Sequence, residues 1–81
     1  MTVHVLFFAS LRERMGSGDA NLDLSEGATV GDLWSALRKE HPRLGEGTGS
    51  VRFVVNREYV GEDHRLSPDD EVALIPPVSG G

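Results

Sequence analysis

A chain of this kind can do covalent chemistry through a thiol, an imidazole, a pair of carboxylates or an activated hydroxyl, and each is missing or badly placed here. There is no cysteine, so no thiol nucleophile, disulfide or thiolate metal site is available, and any sulfur chemistry has to use sulfur that is added. His4, His41 and His64 fall on a strand, at a helix end and in a loop, a spacing that suggests neither a metal site nor a histidine base. Asp69, Asp70 and Glu71 are adjacent in a turn and cannot face one another across a substrate as a catalytic pair would. Ser79 stands between Val78 and Gly80 with no base or orienting group beside it. What remains is the terminal carboxylate of Gly81.

That carboxylate closes the run Pro76-Pro77-Val78-Ser79-Gly80-Gly81. Two prolines hold the exit from the preceding apolar strand extended by fixing φ near −65°. Two glycines leave the end without side chains, so it can lie flat in a narrow channel of another protein. A frayed or cloning-derived end is the plain alternative, because small residues are tolerated at termini. A free carboxylate is an unreactive acyl group. Transfer of AMP from ATP would convert it to a mixed anhydride that sulfur or an amine could attack. The segment Arg43 to Ser50, with Gly45, Gly47 and Gly49, resembles a phosphate loop only superficially, since no Lys-Ser or Lys-Thr follows and it leads into a strand. It reads as a loop. The chain is therefore expected to bind no cofactor or metal, and the ATP would be used by a separate activating enzyme.

The bulk properties fit a small module that acts through partners. An 81-residue chain makes one domain that buries about 60–65% of its unfolded surface, which argues against a deep enclosed active site. A formal charge of −5 argues against nucleic acid, which would need clustered Lys and Arg. The apolar run Val3 to Ala9 is too short for a membrane span and lacks the flanks of a signal peptide, so a cytoplasmic protein is expected.

The elements follow from periodicity. Val3 to Ala9 is rich in β-branched and aromatic residues and reads as a strand. Val3, Val5 and Phe7 share one face, and His4, Leu6 and Phe8 the other. Both faces are largely apolar, and burial against a partner is one explanation for the second. Ser10 to Asp19 reads as a turn or short helical piece, and Ala20, Leu22 and Leu24 as an edge-like second strand forming a hairpin. Thr29 is a helix start whose hydroxyl can accept from the Asp32 amide. Val30, Leu33, Trp34 and Leu37 then mark one helix face, Trp34 as core packing, until His41 before Pro42 ends it. Val51, Phe53 and Val55 define a third strand, a turn at Asn56-Arg57-Glu58 leads to a short one around Tyr59-Val60, and Val72 to Ile75 closes the series. Placing the last strand beside the first gives a parallel central pair with the helix as crossover. The expected fold is α+β, a β-grasp: a mixed sheet of four to five strands with one main helix on one face, formed by residues 1–75 and followed by an extended tail, 76–81.

Three stretches carry a family resemblance: Val5-Leu6-Phe7-Phe8-Ala9-Ser10-Leu11-Arg12-Glu13, Val55-Asn56, and Asp70-Glu71-Val72-Ala73-Leu74-Ile75 running into the tail. The sequence resembles the ubiquitin-like sulfur carriers, most closely the MoaD family, the small subunits of molybdopterin synthase. The resemblance implies that Gly81 is adenylated by a MoeB-like enzyme and converted to a thiocarboxylate, with a sulfurtransferase as sulfur source. It implies further that Pro76, Pro77, Val78, Ser79 and Gly80 thread a channel of the large subunit, MoaE. Sulfur would pass there to cyclic pyranopterin monophosphate, with the catalytic side chains on that subunit and two carriers flanking its dimer as a heterotetramer. Phe8, Tyr59 and Ile75 would form a docking patch on the sheet face away from the helix, with Arg12 near its rim. Ile75 stands where the family often carries an aromatic residue. Filling the domain's own core is the plain alternative for these apolar residues. Three other functions fit the same tail: a sulfur carrier for thiamin, cysteine or tRNA thiolation, a ubiquitin-like modifier joined to lysines through Gly81, and a binding module with an idle tail.

Overall fold

Two strands almost seventy positions apart in the chain lie side by side at the centre of one sheet. In the computed structural model, which describes residues 1–45 and 51–77, β1 (Thr2–Phe7) pairs parallel with β5 (Glu71–Ile75), Val5 opposite Val72 and Phe7 opposite Leu74. A parallel pair cannot be closed by a tight turn, so the intervening chain has to cross one face of the sheet. It first forms the short helix α1 (Ala9–Met15), then returns antiparallel to β1 as β2 (Asp19–Asp23). The crossover is α2 (Val30–Glu40). β3 (Arg52–Val55) then pairs antiparallel with β5, and β4 (Glu58–Val60) closes a five-stranded sheet in the order β2-β1-β5-β3-β4. The β-grasp expectation is met, with all five strands present.

The core sits between α2 and one sheet face. Val3, Val5, Phe7, Phe53, Val55, Val72 and Leu74 bury against Val30, Leu33, Trp34 and Leu37. These are the alternate strand residues and the single helix stripe that periods of 2 and 3.6 select. Each such side chain contributes about 1.5–3 kcal/mol of transfer free energy. Trp34 meets Phe53 edge to face, with ring centroids 6.3 Å apart, and so packs in the core as the sequence suggests.

The start of α2 is fixed twice over. Thr29 Oγ1 accepts from the Asp32 amide while Asp32 returns a carboxylate oxygen to the Thr29 amide at 2.9 Å, a full capping box. The next two free amides, Val30 and Gly31, donate to the carbonyls of His64 and Glu62 at 2.9 and 2.8 Å. Glycine suits position 31, where a Cβ would stand a tight 3.2 Å from the Glu62 carbonyl oxygen. At the opposite end of the sheet's last hairpin, Asn56 donates to Asp70 at 2.9 Å and accepts from the Glu71 amide at 3.1 Å, tying the β3–β4 turn to the entry of β5.

Two sequence readings are corrected. The first strand ends at Phe7, not Ala9: Phe8 is an extended cap and Ala9, at φ +50°, turns the chain into α1. That helix runs until Gly16 supplies a left-handed stop at φ +76°. Only Leu11 buries from it, so no stripe betrays it in the sequence. The loop assigned from Arg43 begins instead inside a 3₁₀ turn, Pro42–Gly45, because Leu44 is completely buried and pulls the chain inward. Gly47 and Gly49 of that reading lie outside the described residues.

Asn56 and Arg57 both adopt positive φ, +48° and +74°, the two-residue turn for which Asn-Gly is the favoured sequence. An arginine pays a steric cost at the second position that glycine avoids. Arg57→Gly is therefore expected to raise the unfolding free energy by about 0.5–1 kcal/mol, read as a higher melting temperature by circular dichroism. A lower one would mean that the Arg57 side chain is holding the turn.

Candidate functional site

With α2 on one face of the sheet, the other is left open, and its residues follow from the strand registers. Leu6 of β1 pairs with Ala73 of β5, Ala73 with Val54 of β3, and Val54 with Tyr59 of β4. Directly paired residues project to the same side, so this row is an apolar stripe across four strands. In the adjoining row Ile75 pairs with Arg52, and Phe8 lies beside it, its amide donating to the Leu74 carbonyl at 3.3 Å. Phe8 is 46% exposed and Tyr59 70%, among the described residues the two large hydrophobic side chains most open to water. Ile75, Leu6, Val54 and Ala73 are half-buried.

Of the residues expected in a docking patch, the fold thus brings Phe8 and Ile75 side by side and puts Tyr59 on the same face at its far edge. None of the three fills the core between sheet and helix. Arg12 is exposed on α1, one helical turn beyond Phe8, whose carbonyl accepts from the Arg12 amide at 3.4 Å. Its guanidinium covers Gly18, where an added Cβ would meet the central guanidinium carbon at 3.4 Å. Pro76 is buried and Pro77 exposed; Val78, Ser79, Gly80 and Gly81 lie outside the described residues. Of the residues that join the patch into one surface, Leu6 was placed with Phe8 on the second face of the first strand, while Ala73 and Val54 were not singled out from the sequence. Their signal was the alternation itself, since each falls between two core residues of its own strand and is still apolar. Arg52 was likewise missed, because only the pairing of β3 with β5 puts it opposite Ile75.

The other end of the open face is polar. His4 Nε2 lies 2.8 Å from an Asp19 carboxylate oxygen and Nδ1 lies 3.7 Å from one of Glu71. The hydrogen bond with Asp19 is the main cause that raises the His4 pKa above its ordinary 6.5, desolvation opposes it, and the charges of Asp19 and Glu71 add to the rise. Among the described residues no group of three His, Asp or Glu side chains is placed to hold a metal ion.

A five-stranded mixed sheet with a parallel central pair, one helix across one face and an open apolar stripe on the other defines a ubiquitin-like β-grasp protein. More narrowly, the chain belongs to the ThiS family, whose model matches residues 5–81. It is 39% identical to a molybdopterin synthase sulfur carrier subunit of Chlamydomonas reinhardtii, with 100% of both chains covered. The protein of the same description from Escherichia coli is 38% identical, covering 98% of this chain and 99% of that one. The crystal structure of SAMP1 from Haloferax volcanii, small archaeal modifier protein 1, superposes with a TM-score of 0.88 at 32% identity, covering 100% of both.

The imidazole bridge has a measurable pH signature. Because folding raises the pKa of His4, its contribution to stability is fully present below the unfolded value of about 6.5 and fades as pH climbs through the higher folded value. The His4 ring protons, followed by NMR, should titrate above 6.5, and Asp19→Asn should bring the midpoint down. An unchanged midpoint in that variant would exclude Asp19 as the cause.

Proposed function

We propose that this protein is the sulfur-carrier small subunit of a molybdopterin synthase, and that Gly81 is its sulfur-bearing residue. A MoeB-like enzyme binds ATP and the carrier. The terminal carboxylate attacks the α-phosphate, pyrophosphate leaves, and an acyl adenylate results. The terminal sulfur of a sulfurtransferase persulfide attacks the acyl carbon and AMP leaves. A second thiol, supplied by a partner because this chain has no cysteine, then attacks the sulfurtransferase sulfur of the resulting acyl disulfide, forming a new disulfide and releasing the thiocarboxylate. Pro76 to Gly80 then carry it into the large subunit, MoaE-like, whose side chains catalyse transfer to cyclic pyranopterin monophosphate. The chain on its own is a donor and not an enzyme. We place the cycle in the cytoplasm, with two carriers on a dimer of the large subunit.

One observation carries this reading: β5 releases the tail at the end of the sheet where Phe8 and Ile75 lie on the open face. A partner that covers the patch therefore receives the tail at the edge of the same contact. An apolar patch with charged residues at its rim suits an interface whose centre is desolvated. The description that several relatives share, a sulfur carrier subunit of molybdopterin synthase, supports both the chemistry and the existence of a second subunit. A second reading is favoured by the likeness to SAMP1: a modifier whose Gly81 is joined to lysines of other proteins. It would appear as lysine-linked adducts that survive denaturing electrophoresis. Sulfur delivery to thiamin, cysteine or tRNA would share fold and activation with the main reading and differ only in the acceptor.

Intact-protein mass spectrometry after incubation with ATP, the activating enzyme and a sulfur source should show a gain equal to replacing one oxygen by sulfur, mapped to Gly81 and absent from a chain lacking that residue. No gain with an enzyme proven active would remove the carrier reading. The patch is tested separately. Phe8→Asp and Tyr59→Asp change exposed positions, so stability should move by no more than about 0.5 kcal/mol. Affinity for the large subunit, by titration calorimetry, should nonetheless fall by about 2 kcal/mol or more, roughly thirtyfold. A folded double variant that binds normally would remove the patch from the interface.

A further inference from the structure

The chain holds seven arginines and a single lysine, Lys39. For a protein whose own C-terminus becomes an acyl adenylate, that ratio decides where stray acyl groups can go. A guanidinium is a charged donor with no amine lone pair to offer, whereas a lysine amine is the ordinary acceptor for amide formation. The other amine, the α-amino group of Met1, is partly buried and donates to the Leu24 carbonyl at 2.7 Å.

The fold puts Lys39 where a second molecule can use it. It is exposed in the last turn of α2, on the helix side of the sheet and so on the side opposite the apolar stripe. A copy that presents Lys39 does not have to uncover its own docking face. Topology also brings Lys39 to the end of the molecule from which the tail leaves. α2 runs into the turn Pro42–Gly45, which touches α1 through the Arg14 guanidinium and the Arg43 carbonyl at 3.3 Å. α1 follows the C-terminal end of β1, and β5 runs parallel to β1. Six tail residues reach about 20 Å when extended, so transfer between copies does not need their folded bodies to touch closely.

We propose that Lys39 is the self-acylation site of this protein, the one side-chain amine to which the activated Gly81 of another copy is transferred. The inference rests on the adenylation step proposed above. The lone pair of Lys39 Nζ attacks the C-terminal carbonyl carbon and the carbon–oxygen bond to AMP breaks. AMP leaves, a proton is released from nitrogen, and an amide joins the two chains. Any multimer of the chain made in this way has a single linkage, and sulfur and Lys39 compete for one intermediate.

The test uses the full chain with ATP and the adenylating enzyme, first without a sulfur source and then with sulfide. Without sulfur, wild type should give a covalent dimer whose mass is two chains less one water. Trypsin should release from it the peptide Leu66–Gly81 joined to Lys39. Lys39→Arg, which keeps the charge, should lose the dimer and still form thiocarboxylate when sulfide is added. Sulfide should also suppress the wild-type dimer. Thiocarboxylate with no amide product, or a dimer that persists in Lys39→Arg, overturns the inference and leaves the carrier reading standing. Neither product, with an enzyme active on its own carrier, overturns both.

Discussion

The pairing of β1 with β5 is the constraint from which the rest of the molecule follows. A parallel contact between strands at the two ends of the chain obliges everything between them to form the crossover and the flanking strands. The helix that makes the crossover occupies one face of the sheet and leaves the other uncovered. Because the two strands run the same way, the end of β1 and the end of β5 finish together. Phe8, Ile75 and the first tail residue are neighbours for that reason, although 67 positions separate Phe8 from Ile75. A docking surface and a tail that left opposite ends of the sheet would need a partner large enough to span the domain.

The open face is also graded in charge along the strands. Its exit end has Arg52 opposite Ile75 and Arg12 beyond Phe8. Toward its entry end Glu71 pairs with His4, and Asp19, opposite Leu6 on β2, reaches back to the same imidazole. Charges that ring an apolar centre add little affinity while exposed, but they penalise a partner docked the wrong way round. If the chain delivers one end into a channel, as proposed, orientation matters as much as strength. The His4 bridge adds a local term, since it links β1 to both neighbouring strands on the face that no helix supports.

Most of the architecture was legible in the sequence because each element has one dominant signal. Val3, Val5 and Phe7 alternate, Val30, Leu33, Trp34 and Leu37 keep helical spacing, and Thr29 with Asp32 announces the helix start; all were read correctly and all bury or cap as expected. The failures come where a single residue decides. Leu44 alone draws the start of an apparent glycine loop into a 3₁₀ turn, and Leu11 alone anchors α1. The site divides in the same way. Phe8 was visible as an apolar residue on the second face of the first strand, whereas Tyr59 and Ile75 were expected beside it only through the family resemblance. The stripe joining them depends on which strands are neighbours, which no local pattern encodes. Asn56 is a further case, read as a turn residue and found also to bridge to Asp70 and Glu71 across strands.

The division of labour proposed for this protein follows from size. A domain of 81 residues buries about 60–65% of its unfolded surface, and its one buried core is filled by the side chains that hold α2 on the sheet, among them Val5, Phe7, Trp34, Phe53 and Leu74. The hollows seen among the described residues are open grooves, such as one of about 470 Å³ beside Trp34 and Val60. A reactive group can then be carried only outside the core, on a segment whose own side chains do not obstruct it. The groups that activate and accept it have to come from partners. A carrier serving two partners in succession also needs a surface that both can bind and neither holds permanently. An apolar stripe meets that need better than a directional hydrogen-bond pattern, because hydrophobic contact scales with the area covered and not with exact geometry. On the proposed function the tail would supply the specificity that the stripe lacks, since a channel would have to admit Gly80 and Gly81 to reach the reactive end.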